Sequence, residues 1–211
     1  MTVAALTGMA AYPVQLEVSS PAQFDRVQLL LRLAISIVLG WLGITLGWLS
    51  WVLYLGLPLI AAVVISARGS EIYLESTSTK LWPALRWLLG FVAYMLLLTD
   101  RVPVDERTDV HTELHTTGRP TTATALLRLL YSIPSAFVLC FVGFVSWLLW
   151  IVAFIAVLFT RKVPPSILAF QAGYLRWQAR LLAYHASFVD EYPPFSFGER
   201  ETTTPATAVS P

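Results

Sequence analysis

Apolar positions along this chain fall into two long runs, and each run follows a short stretch of strict alternation. "YPVQLEV" at 12–18 and "DVHTELHT" at 109–116 alternate apolar with polar residues, the period of a strand. The charge-free windows Leu33 to Ala67 and Leu129 to Thr160 come next, 35 and 32 residues long. A spanning helix needs about 20 apolar residues, so each window predicts a tight helical hairpin, fully spanning or re-entrant. The expected bends are "LGWLGITLGWLS", with Gly40, Gly43 and Gly47, and the neighbourhood of Gly143. A polar connector follows each window, "ARGSEIYLESTSTK" and then "RKVPPS", and a helix carrying Leu-Arg-Trp closes each half.

The two halves echo each other. At an offset of 96 residues, Glu17 falls on Glu113, Arg32 on Arg128, Gly47 on Gly143, Ser50 on Ser146 and Trp51 on Trp147. After the connector the offset is 90, and Arg86-Trp87 falls on Arg176-Trp177, Tyr94 on Tyr184 and Asp100 on Asp190. Two constant offsets with matching Trp, Arg and Asp positions read as an internal duplication. The predicted fold is an all-α integral membrane protein of two tandem repeats. Each repeat has an apolar hairpin and an amphipathic interfacial helix, with short extended segments on the cytoplasmic side. The expected boundaries are a tail at 1–11, repeats at 12–104 and 105–198, and a Thr- and Pro-rich disordered tail at 199–211. Gly47, Gly143, Ser50 and Ser146 offer small surfaces through which the hairpins are expected to touch.

Composition strengthens the membrane reading. The chain is 56% hydrophobic and 13% charged, against about 25% charged in soluble domains. A net charge of +1 argues against nucleic acid as a partner. The first 25 residues lack Lys and Arg, so a secretory signal is not expected. Basic residues flank both windows alike, at Arg26, Arg32 and Arg68, then Arg119, Arg128, Arg161 and Lys162. That pattern places both termini in the cytoplasm and favours parallel over inverted repeats.

The order of motifs resembles a bacterial membrane family, domain of unknown function 4389. The stretches that carry the likeness are "YPVQLEV", "LFTRKVPP" at 158–165, "LRW" at 85–87 and 175–177, "LLTDRVP" at 97–103 and "VDEYPPFSF" at 189–197. The resemblance implies two copies in a bacterial cytoplasmic membrane and carries no activity with it.

No residue pattern specifies a chemistry. His111, Glu113 and His115 share one strand face, a ligand type zinc accepts, but the first half has Gln15, Glu17 and Ser19 there, so no metal site is assigned. Cys140 reads as a small buried hydrophobe, and His185 as a solvated residue on the polar face of the last helix. Asp100 and Asp190 follow helices, where a carboxylate opposes the dipole and needs an offsetting Arg or turn. With Glu17, Glu113, Arg32 and Arg128 they read as structural charges repeated in both halves. Arg86 with Trp87 and Arg176 with Trp177 are candidate contacts for anionic lipid; the competing reading is internal pairing of Arg86 with Glu17 and Arg176 with Glu113. No catalytic residue and no cofactor is expected. The function expected is a non-enzymatic accessory or scaffold of a membrane complex, with membrane lipids, a larger complex or self-association as partners. Lipid binding or transport, and then a membrane enzyme, are the alternatives.

Overall fold

The two alternating stretches form strands β1 (Val14–Val18) and β2 (Val110–Leu114), and they pair with each other. The pairing is antiparallel, Val14 opposite Leu114 and Val18 opposite Val110, so it is centred on Leu16 and Thr112. Period-two side chains put Val14, Leu16 and Val110 inside, while Gln15, Glu17, His111, Glu113 and His115 stay exposed. The computed structural model describes residues 12–42, 46–103 and 109–197. The tails expected at 1–11 and 199–211, the boundary at 104/105 and Gly43 lie outside the described residues.

The rest is mostly helical. Helix α1 (Arg26–Trp41) begins at Asp25, whose side chain accepts from the Val27 amide at 2.9 Å. Helix α2 (Leu46–Arg68) follows. The polar connector is helical: α3 (Ser70–Ile72) and a π-helical turn (Tyr73–Thr77) lead into α4 (Ser78–Met95). Helix α5 (Thr122–Tyr131) starts with a capping box at Thr121 and Thr124, and α6 (Ile133–Thr160) and α7 (Pro165–His185) complete the chain.

The first apolar stretch breaks between α1 and α2 within the expected bend, whose residues 43–45 lie outside the described residues, but packing is not that of two self-contained hairpins. Helix α1 packs on α6 and α2 packs on α5, so each stretch lies against the other half rather than against itself. The second window does not bend at Gly143. That glycine sits inside the 28-residue α6, where the Tyr174 hydroxyl occupies the space beside its Cα. The break falls at Ser132, because Pro134 has no amide to continue the ladder. It is a joint and not a reversal: the Ser132 amide donates to the Arg128 carbonyl at 3.0 Å and its carbonyl accepts from Ala136 at 2.8 Å.

Three layers result. The strand pair packs on α4 and α7, and α4 and α7 pack on each other. Against α7, on its other side, lie α2, α5 and α6. Helix α7 is therefore a core element and not the interfacial helix its polar residues predict. Gln171, Gln178, Arg180 and His185 are all buried. From Gln171 onward the helix is covered on every side, and the polar groups that suggested a wet face bond inside the molecule. Helices α2 and α6 are long and apolar enough to cross a membrane. Of the apolar window of α6, 11% is buried inside the molecule.

Candidate functional site

The chain turns sharply after α4 and after α7, and the two turns share one geometry. Leu97 (φ 60°) and Ser187 (φ 59°) adopt the left-handed conformation. The Leu98 amide donates to the Ala93 carbonyl and the Phe188 amide to Ala183, both at 3.0 Å, the bonding of a helix-ending Schellman turn. Each turn delivers a carboxylate to an arginine from an apolar stretch. Arg32 meets Asp100 at 2.9 Å, and Arg128 meets Asp190 at 2.6 Å. Both arginines are buried, and each lies over a tyrosine ring, Arg32 over Tyr94 at 4.3 Å and Arg128 over Tyr184 at 4.5 Å. Further donors reach main-chain carbonyls: Arg32 bonds Thr99, and Arg128 bonds Val189 at 2.5 Å and Tyr184 at 2.6 Å.

The second carboxylate oxygen ties down the start of the next element. Asp100 Oδ2 accepts from the Asp25 amide at 2.8 Å, and Asp190 Oδ2 from the Arg119 amide at 2.6 Å. Asp100 therefore lies at the positive N-terminal end of α1, which favours its charge. Burial pulls the Arg32 guanidinium below its ordinary pKa, and the bond from Asp100 opposes that shift. These clamps fasten helices to returning chain; both carboxylates are engaged, while Arg32 Nε and Nη1 and Arg128 Nε are buried without a hydrogen-bond partner.

Above α7 lies a cleft of about 510 Å³, lined by α1, α2, α4, α6 and α7. Its walls include Gly40, Trp51, Cys140 and Trp147; Ser50, Ser146, Tyr174 and Gln178 supply polar groups. The helix contact expected through Ser50 and Ser146 is thus an open space lined by both. Ser146 Oγ donates to Gln171 Oε1 at 2.5 Å, and Gln171 Nε2 donates to the Ser146 carbonyl at 2.9 Å. Burial raises the Tyr174 hydroxyl pKa, while a bond to Gln178 lowers it. Cys140 is exposed on α6 rather than buried.

His185 is also inside, not solvated. Its Nδ1 bonds the Leu181 carbonyl at 2.6 Å, which makes Nδ1 the protonated nitrogen, and its ring lies 4.9 Å from Tyr54. Burial lowers its pKa to about 4. The two Leu-Arg-Trp segments diverge. Arg86 and Trp87 are exposed on α4, with Trp87 stacked on Phe91 at 5.7 Å. Trp177 is buried against Phe195 and Phe197. Arg176 donates to the Leu16 carbonyl at 3.1 Å and to the Phe197 carbonyl at 2.6 Å. Glu17 and Glu113 lie on the exposed face of the strand pair, and the ion pairs that join distant segments link Arg32 to Asp100 and Arg128 to Asp190 instead. Among the described residues no group of three His, Cys, Asp or Glu side chains is placed to hold a metal.

The segment holding α5, α6, α7 and the Arg128–Asp190 clamp also carries a family match. Residues 122–196 match the domain of unknown function DUF4389. The match covers just over a third of the chain and brings no activity. No curated protein and no solved structure matches the chain.

Sequence reasoning marked every clamp residue except the tyrosines' role, but did not pair them. The available signal was that Arg32 and Tyr94, with Asp100, recur together as Arg128, Tyr184 and Asp190. The Ser146–Gln171 bond had no such signal, because only one half carries it.

Proposed function

We propose that this chain is a non-enzymatic integral protein of a bacterial cytoplasmic membrane, acting as an accessory or scaffold component of a membrane complex. The observation that carries the reading is the bare apolar surface of α6. Phe137, Phe141, Phe144, Trp147, Val152, Ile155 and Phe159 are all exposed, and exposed Leu, Val, Ile and Trp side chains on α1 and α2 extend the surface. Monomeric soluble proteins rarely expose contiguous apolar patches beyond a few hundred Å²; hydrocarbon chains or apolar protein must cover this one.

In this reading the chain consists of two tandem copies of the domain matched at 122–196. Support comes from the shared clamp geometry, the matching left-handed residues and the strand pair centred on positions that the offset equates. Both described ends share the cytoplasmic side: the Tyr12 hydroxyl donates to the Glu191 carbonyl at 2.9 Å, so they adjoin. A scaffold role agrees with carboxylates already engaged by arginine, which leaves them unsuited to proton transfer. Alkaline carbonate extraction followed by crosslinking in native membranes tests the proposal. Retention in the pellet and a partner of fixed stoichiometry are expected; release into the supernatant overturns it.

One observation favours lipid binding as a second reading. The cleft carries no charged side chain, has apolar walls and lies within the reported 300–1,000 Å³ range of ligand pockets. Mass analysis of lipid co-purified with the wild-type protein and with Gly40→Leu distinguishes this reading. A Cβ at Gly40 meets nothing within 4 Å, so the added side chain starts into open space at the cleft wall.

A further inference from the structure

Both apolar stretches run between the two ends of α7. The α5–α6 stretch starts just after Thr117 and Gly118, whose amides donate to the Phe188 carbonyl at 3.2 and 3.1 Å. It ends at Arg161, whose carbonyl accepts from the Phe24 amide at 2.8 Å. These two anchors lie at opposite ends of the 21-residue α7, which is about 31 Å long. The α1–α2 stretch runs between the same two ends. It starts beside Asp100 and the α6 end, and past its own end the Tyr73 hydroxyl donates to the Ala186 carbonyl at 2.5 Å, next to the Phe188 anchor.

The strand pair itself belongs in water, because its outer face carries Glu17, His111, Glu113 and His115. Helices α2, α5 and α6 pack on α7, and α7 packs on β1, so the apolar stretches lie along α7 with the strand pair behind it. The second stretch has no device for turning back, since the helical bonding runs through Ser132 unbroken in direction. Helix α6 also lies alongside α7: Ser146 bonds Gln171, and Ser135 bonds Tyr192 just beyond α7. An upright α6 would carry Gln171, Gln178 and Arg180, with the strands behind them, into the hydrocarbon.

We infer that the protein is monotopic, with α1, α2, α5 and α6 lying in the cytoplasmic leaflet and neither α2 nor α6 crossing the bilayer. The inference rests on the membrane reading above and replaces the multi-pass arrangement that composition predicts. The partner surface is a single leaflet: acyl chains cover the exposed side chains of α1, α2 and α6, and exposed Arg26, Arg68, Arg119, Arg161 and Lys162 meet anionic headgroups at the margins.

Nitroxide depth measurement tests this on the full chain in nanodiscs containing anionic phospholipid. Single cysteines replace exposed Phe137, Phe144, Val152 and Phe159 in a Cys140→Ser background. Collision with oxygen is compared with collision with a water-soluble nickel chelate. The 22 residues from Phe137 to Phe159 span about 33 Å of helix. The monotopic placement predicts depths within about one helical pitch, roughly 5 Å, of each other, all above the midplane. A steady change that carries one end to the opposite headgroups overturns it while leaving the membrane reading intact. Full chelate access at all four sites overturns both.

Discussion

Asp100→Ala leaves the Arg32 guanidinium where it is and takes away its acidic partner. Arg32 is 0% exposed and Asp100 is 18% exposed, so most of the pair is out of water. What remains for the cation is the Thr99 carbonyl and the Tyr94 ring. Removing one member of a buried pair costs about 3–5 kcal/mol, chiefly through the charge left behind. The Asp25 amide at the start of α1 loses its acceptor as well. The second clamp is more solvated. Asp190 is 47% exposed, and Arg128 keeps the carbonyls of Tyr184 and Val189. Its loss is worth about 1 kcal/mol, as for a largely screened pair. At 2–4 °C per kcal/mol for a chain of this size, Asp100→Ala lowers Tm by roughly 10 °C and Asp190→Ala by a few degrees. Thermal melts by circular dichroism in mild detergent measure both. The double variant Arg32→Met, Asp100→Leu recovers most of the loss, because no charge is stranded. Equal losses at the two aspartates, or a double variant worse than Asp100→Ala, would refute the reasoning.

His185 gives the fold an acid sensitivity. Its folded pKa of about 4 lies below the ordinary 6.5, so the unfolded chain takes up the proton first. Stability is complete above pH 6.5 and falls as pH drops toward 4, by up to about 3 kcal/mol; His185→Asn flattens the profile in that window, and an unchanged slope counts against a buried neutral imidazole. Gly173→Ala places a Cβ 2.5 Å from the Phe197 Cβ and 3.1 Å from its carbonyl oxygen; chymotrypsin cleavage at Phe195 and Phe197 accelerates, and unchanged cleavage would show that the segment is not seated there. Arg86→Ala reduces anionic phospholipid retained in native mass spectra with Tm within about 1 °C, because Arg86 is exposed, while Arg176→Ala lowers Tm with no lipid loss; the opposite pattern contradicts the placement of the two helices.

Much of this architecture was legible in the residues. The alternation at 12–18 and 109–116 does give strands, and the charge-free windows do hold the apolar helices α2 and α6. The period-two signal does not say which strand pairs with which, since β1 and β2 lie over ninety residues apart. The windows misled in another way. Length and composition make a hairpin and a long helix equally good, and a lone glycine such as Gly143 costs a helix only about 1 kcal/mol. Pro134 was the stronger punctuation. For α7, polar residues at helical spacing predicted a wet face. Gln171 and Arg180 instead find Ser146 and the Ser196 carbonyl as partners, which come from segments the helix's own sequence does not describe, while His185 bonds back to the Leu181 carbonyl within the helix and is covered by Tyr54 from α2. The clamps were half legible: a recurring Arg, Tyr and Asp in each half marks something shared, but pairing Arg32 with Asp100 needs the turn at Leu97.

The central claim is that each apolar stretch leaves and returns to one side of a membrane, with the strand pair in the cytoplasm. Single cysteines at Glu17, Glu113 and Tyr192 in a Cys140→Ser background test it, using an impermeant maleimide on spheroplasts and on inverted membrane vesicles. The account predicts labelling of all three positions in inverted vesicles and of none in spheroplasts. Labelling of any of the three positions in spheroplasts would contradict it.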